Sequence, residues 1–166
     1  MQFEFILEKM ANERAQPVNY FIDPDQRKIL VNDWIGKELH FKFSGEIYCI
    51  VCGRKTKKAF AEGLCYPCFM NSPENSPCII RPELCEAHLG KGRDMEWETK
   101  NHLQSHYVYL ALTSAVKVGV TRSTNLVHRW IDQGAWKGIP LCLTNNRYEA
   151  GIIEVSFKSH ITDKTN

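Results

Sequence analysis

Hydrophobic and polar positions alternate in several short runs, and a helical spacing emerges only in the last third of the chain. Near the start, Phe3, Phe5 and Leu7 flank polar Glu4 and apolar Ile6. Tyr20 and Ile22 lead into Asp23-Pro24-Asp25, a turn sequence. His40-Phe41-Lys42-Phe43-Ser44-Gly45 alternates again. Residues 1–46 are therefore expected to form a β-rich part, a small sheet that buries one face and carries no chemistry of its own.

The later pattern is richer. Tyr107–Leu112 and Val116–Thr121 read as two strands joined at Thr113-Ser114, a hairpin. Ser123 or Thr124 can cap a helix that runs through Gln133 and stops at Gly134. Leu126, Val127, Trp130 and Ile131 form its apolar face, with Arg122, Asn125, Arg129 and Asp132 pointing elsewhere. Ile139–Thr144 reads as a third strand with Cys142 as a core thiol. Tyr148–Ile161 fits two periods: Ile153, Val155 and Phe157 alternate, while Ile153, Phe157 and Ile161 share a helix face. The pattern predicts an α+β protein in three parts, residues 1–46, 47–104 and 105–166.

The middle part is marked by cysteine. Cys49-Ile-Val-Cys52 and Cys65-Tyr-Pro-Cys68 are two CxxC knuckles that can offer four thiolates to one tetrahedral ion, and zinc is the default occupant. Gly53 comes directly after the first knuckle and supplies backbone freedom for the turn. Two disulfides or a redox pair are the alternative readings, but a redox motif needs one CxxC in a βαβ context. A zinc-ribbon-like module is therefore expected. Pro67, Pro73, Pro77 and Pro82 make the stretch after the second knuckle irregular. Cys78, Cys85, His88 and His102 can close a second structural zinc site, with His106 as the other choice for its fourth ligand.

Composition narrows the class. Hydrophobic residues make up 43% of the 166 and aromatics number 18, enough for a core. No run approaches the roughly 20 apolar residues of a membrane span. Met1-Gln-Phe-Glu-Phe-Ile-Leu-Glu lacks a signal peptide's basic start and long apolar run. A cytoplasmic setting is expected, with no membrane partner and thiols kept reduced for metal. Net charge is +2 overall, which advertises no polyanion, but residues 105–166 carry seven basic and four acidic side chains. Arg54, Lys55, Lys57 and Lys58 sit between the knuckles and, with Arg122, are candidate contacts to DNA or RNA phosphates. A solvated hairpin tip is the plainer reading of that loop.

Several longer motifs carry a resemblance. Cys78–Cys85, His88, Arg93-Asp94, Val108-Tyr-Leu-Ala, Lys117-Val-Gly-Val-Thr-Arg122, Arg129–Ala135, Tyr148–Glu154 and Asp163–Asn166 together resemble a family of prokaryotic proteins catalogued as a domain of unknown function. The resemblance covers roughly residues 45–166. It also implies a chain that continues past Asp163-Lys-Thr-Asn166, so a truncated form is expected here.

Residues 105–166 resemble, more distantly, the GIY-YIG nuclease domain of repair nucleases and homing endonucleases. That resemblance implies the order strand, strand, helix, strand, helix. Tyr107-Val-Tyr109 stands for its first motif and Lys117-Val-Gly119 for its second, with Arg129 as the helix arginine and Glu154 as the glutamate. It implies a magnesium ion at Glu154, Tyr109 as base and Arg129 as phosphate clamp. The first motif's glycine is replaced by Tyr107 and the second motif's tyrosine by Lys117. Three functions stay open: a magnesium-dependent nuclease, a nucleic-acid-binding module without cleavage, and a zinc-stabilised scaffold for a protein partner.

Overall fold

The computed structural model describes residues 5–23, 27–158 and 160–161. Phe3, Glu4, Pro24, Asp25 and the Asp163–Asn166 motif lie outside the described residues. The chain divides into two compact units, residues 1–70 and 71–166. It is a mixed α/β protein with three small sheets among the described residues.

In the first unit, β1 (Ala11–Glu13), β2 (Asn19–Ile22) and β3 (Ile29–Leu30) form an antiparallel sheet in chain order. Asn32 pins it: the Tyr20 amide donates to its Oδ1 at 2.8 Å, and its Nδ2 donates to the Val18 carbonyl at 2.8 Å. The strands expected around Phe5-Leu7 and at His40–Gly45 do not form. Alternation makes a strand only when a partner takes up its amides and one face is covered. Phe41 and Phe43 are 74% and 72% exposed, so neither condition holds there.

The rest of this unit is built on a second, two-stranded sheet, β4 (Ile47–Tyr48) with β5 (Lys55–Thr56). Helix α1 (Tyr66–Asn71) comes next. Among its described residues, the buried hydrophobic side chains are Ile22, Leu64, Cys49 and Cys65. So small an apolar core leaves much of the unit's cohesion to the cysteines, and an ion held there would contribute its binding energy directly to folding.

The second unit begins with short turns. Helix α2 (Pro77–Ile80) leads through 3-10 turns at Pro82–Leu84 and Ala87–Leu89 to α3 (Met95–Asn101). Pro77 opens α2 and Pro82 the turn after it, at positions where the missing N–H costs nothing. Asp94 caps α3 by accepting from the Trp97 amide at 3.0 Å.

Then come β6 (His106–Leu112), β7 (Val116–Arg122), α4 (Leu126–Asp132), β8 (Lys137–Thr144) and α5 (Arg147–Lys158). The sheet is antiparallel with β6 central, in the order β7-β6-β8. Pro140 stands opposite Tyr109 in β8, beside a register shift at Val108/Tyr109. An edge strand tolerates that proline because one side of it has no ladder to break.

The ambiguous last segment is a helix. Its face of Ala150, Ile153 and Phe157 packs on Val108 and Val118, while Ile152 and Val155 remain exposed. Asn146 caps it: its Oδ1 accepts from the Glu149 amide at 2.9 Å, and Glu149 accepts in turn from the Asn145 amide. Cys142 pairs with Val108 and joins the same core.

Candidate functional site

Three constellations of chemically active side chains stand out. The first is Cys49, Cys52, Cys65 and Cys68, whose sulfurs all lie within 4.8 Å of one another. Local backbone sets it up. The Gly53 amide returns to the Cys49 carbonyl at 2.8 Å, and the Cys49 amide donates to the Arg54 carbonyl at 2.9 Å. Gly53 has a φ of +67°, which glycine adopts without a Cβ clash. The Phe60–Leu64 bridge then delivers Cys65 to the start of α1. Backbone amides, that of Cys65 foremost, push the Cys49 thiol down to about 6. The Cys65 sulfur beside it raises Cys68 to about 12. Amides aimed at sulfur favour thiolate, the form that binds metal.

The second group is Cys78, Cys85, Glu98 and His102, all buried and again within 4.8 Å. His102 Nδ1 stands 3.9 Å from Cys78 Sγ and 3.7 Å from Cys85 Sγ. Its ring also hydrogen-bonds Glu98 through the same nitrogen. The two thiols share a hydrogen bond that lowers Cys85 to about 4 and raises Cys78.

The expected ligand His88 is not in this group. It lies on the turn Ala87–Leu89, and its ring stacks on Tyr148 with centroids 4.4 Å apart. Glu98 fills the place instead, because positions 98 and 102 fall one helical turn apart on the same face of α3. His106 is not a donor here either. It is fully buried in β6 with Nδ1 against the Gln104 carbonyl at 2.7 Å, and burial lowers its pKa to about 4.

The third is a cleft of about 470 Å³ in the second unit, lined by Tyr109, Lys117, Arg129 and Glu154 together with Arg147 and Lys158. Tyr109 projects from β6, Lys117 from β7, Arg129 from α4 and Glu154 from α5. The Tyr109 hydroxyl donates to Gln133 Oε1 at 3.0 Å. Burial raises the phenol's pKa, and the Arg129 charge beside it opposes that shift. Glu154 is buried, with Lys158 Nζ at 3.7 Å one turn along.

Arg147 was not foreseen from the sequence. Its Nε donates to the Cys78 carbonyl at 2.9 Å and its Nη2 to the Ile79 carbonyl at 2.7 Å. It therefore ties the cleft wall to the turn that carries the second donor group. Its place seven residues before Glu154 on one helix face was the available signal.

The expected phosphate contacts are dispersed. Lys55 pairs with Glu46, Lys58 lies 5.2 Å over the Phe60 ring, and the Arg54 carbonyl serves the first knuckle. Lys57 is exposed. Arg122 Nη1 donates to Asn101 Oδ1 at 2.7 Å and does not line the cleft.

Fold and sites together define a mixed α/β protein with two side-chain groups able to hold metal ions, and no described helix is long and apolar enough to cross a membrane. The chain belongs to the family described as protein of unknown function (DUF2797), whose profile matches residues 36–166. No curated protein and no solved structure matches it.

Proposed function

We propose that this is a zinc-containing nucleic-acid-binding protein whose second unit grips a phosphodiester in the cleft between β6, β7, α4 and α5. One observation carries the reading. Tyr109, Lys117, Arg129 and Glu154 come from four different elements and line a single cleft. The order β6, β7, α4, β8, α5 supports it, being the strand and helix order that the GIY-YIG resemblance implies. With Arg147 and Lys158 the cleft offers four cations to Glu154 and Asp132. That excess of positive charge suits a phosphate held beside the buried carboxylate of Glu154. The cysteines at 49, 52, 65 and 68 take a structural zinc that organises the first unit.

Cleavage is the stronger form of the proposal. Glu154 is a single buried carboxylate at an open cleft, which fits a magnesium ion that keeps most of its waters. When bound, that ion supplies positive charge to the scissile phosphate. Arg129 and Lys117 hold the phosphate oxygens and stabilise the charge that develops on them. Tyr109 keeps its proton at neutral pH, since burial raises its pKa. To orient phosphate or water as a hydrogen-bond donor it exchanges its bond to Gln133 Oε1 for the ligand, and the base role expected from the sequence is not the one its surroundings favour. The same fact supports a second reading, a binding module that does not cleave.

The test is a panel of DNA and RNA substrates incubated with zinc-loaded protein across magnesium concentrations, with binding read in parallel. Cleavage that falls roughly 100-fold or more in Arg129→Ala and Glu154→Ala supports the nuclease. Binding that weakens in Arg129→Ala without any cleavage supports the module. The absence of both binding and cleavage overturns the proposal.

A further inference from the structure

The second donor group differs from the first in a way that bears on what it does. Two thiolates and a ring nitrogen on one zinc-sized ion stand roughly 3.5 Å apart, given metal distances of about 2.3 and 2.0–2.1 Å. His102 Nδ1 lies 3.9 and 3.7 Å from the sulfurs of Cys78 and Cys85, close to that spacing. Glu98 stands otherwise. Its Oε2 is hydrogen-bonded to the same Nδ1. One ring nitrogen cannot hold a proton for Glu98 and give its lone pair to an ion. When an ion takes Nδ1, Glu98 must release that bond and either ligate or move aside.

The surroundings give it somewhere to go. A cleft of about 610 Å³ runs past Cys78, Cys85 and Glu98 and reaches Ser76, Glu83 and Tyr148. Gly92 lies directly over the Glu98 stem, where a Cβ would stand 2.4 Å from Cγ. Two polar atoms in this cleft, Ser76 Oγ and Glu83 Oε2, are buried without a hydrogen-bond partner among the described residues. Ser76 is 7% exposed. Buried polar atoms without partners are costly and rare, and two of them in a cleft that also takes in the donor group point to a ligand that satisfies them. Closed structural zinc sites have neither a cleft nor an exchangeable donor, whereas three-ligand Cys2His centres keep a fourth position open.

We propose that Cys78, Cys85 and His102 hold a zinc-type ion as a three-ligand centre whose fourth position is exchangeable, with Glu98 occupying it at rest. The cleft admits a small anion that displaces Glu98 and also carries an N–H or O–H donor. The anion binds the ion, the donor answers Glu83 Oε2, and Ser76 Oγ completes the pocket. A hydroxamate has this chemistry, and acetate has the anion without the donor. The site is distinct from the phosphate-gripping cleft and stands or falls apart from it.

The test uses the full chain loaded with cobalt(II), whose visible bands report the donors at each ion. Acetohydroxamate should shift the bands saturably, and acetate should bind more weakly. Cys85→Ser should abolish the shift while leaving the bands of the four-cysteine site. Glu98→Gln, which keeps the shape but offers no anionic competitor, should tighten the acetohydroxamate Kd about tenfold. Ser76→Ala should loosen it without releasing cobalt. Bands unmoved by acetohydroxamate would mark a closed four-ligand site and overturn the proposal. So would cobalt recovered in the filtrate, or bands that Cys85→Ser leaves unchanged.

Discussion

Tyr109 and Gly119 face each other across the β6–β7 ladder, and a Cβ on Gly119 would stand 2.6 Å from the Tyr109 hydroxyl. The phenol lies over the glycine and reaches the cleft because that position carries no side chain. The Lys117-Val-Gly119 motif thus has a physical reason for its last residue. That reason is steric, since the backbone of Gly119 has no left-handed φ.

Gly119→Ala should therefore displace the phenol. We expect a stability loss of about 1–3 kcal/mol by urea denaturation, the usual cost of overpacking, together with weaker oligonucleotide binding. Tyr109→Phe keeps the ring and loses the hydroxyl's bonds to Gln133 and Arg129, so about 1 kcal/mol is expected. An alanine variant as stable as the parent would refute the close approach.

A second close approach holds the wall of the cleft. A Cβ on Gly151 of α5 would stand 2.2 Å from the Glu83 backbone nitrogen and 2.4 Å from the Pro82 carbonyl carbon. Backbone cannot swing aside as a side-chain tip can. Gly151→Ala should cost about 3 kcal/mol or more, read as a fall in the urea midpoint. The Pro82–Leu84 turn should also lose amide protection in hydrogen exchange.

Metal content separates the two donor groups. Purified protein is expected to carry two zinc ions per chain, and Cys49→Ser and Cys85→Ser should each lower that number by one. Chelation should remove amide protection around residues 47–69 first, because that unit has so little apolar core to fall back on. Full protection after complete chelation would contradict this.

His106 makes stability depend on pH. Its pKa is depressed to about 4 from an ordinary 6.5, mainly by burial. The folded state therefore binds fewer protons than the unfolded chain between those values. The stability linked to this group is intact above pH 6.5 and is lost as pH falls toward 4. At about 1.4 kcal/mol per pH unit the loss approaches about 3 kcal/mol. Urea titrations of wild type and His106→Asn at pH 7 and pH 4 should differ by that amount in their pH dependence. Parallel dependences would show that His106 does not govern it.

The hairpin β6–β7, the strand β8 and helix α4 were legible because local period agrees with the final packing, although Ser123 and Thr124 do not cap α4 and lie instead in a 3-10 turn before it. The run at His40–Gly45 was misleading for the opposite reason. Its alternation is real, yet no neighbour covers Phe41 or Phe43. The last segment could be read two ways, and packing of Ile153 and Phe157 on Val108 and Val118 selected the helix.

The first cysteine group is local. Each CxxC is a turn of a few residues, and the β4–β5 pair and the Phe60–Leu64 bridge, both short in sequence, bring the two knuckles together. The second group is not. Cys78 and Cys85 meet α3 through tertiary packing, so sequence could nominate His88 and His102 but not choose Glu98 over His88. The one-turn spacing of Glu98 and His102 was visible, but its meaning depended on which face of α3 is buried. The cleft is less local still. Types and order of Tyr109, Lys117, Arg129 and Glu154 were written in the chain, whereas their convergence, and the presence of Arg147 among them, depended on how α4 and α5 dock on one sheet. Periodicity and short-range spacing act over a few residues and survive in the bare sequence. Convergence of distant side chains is set by packing, which no local pattern encodes.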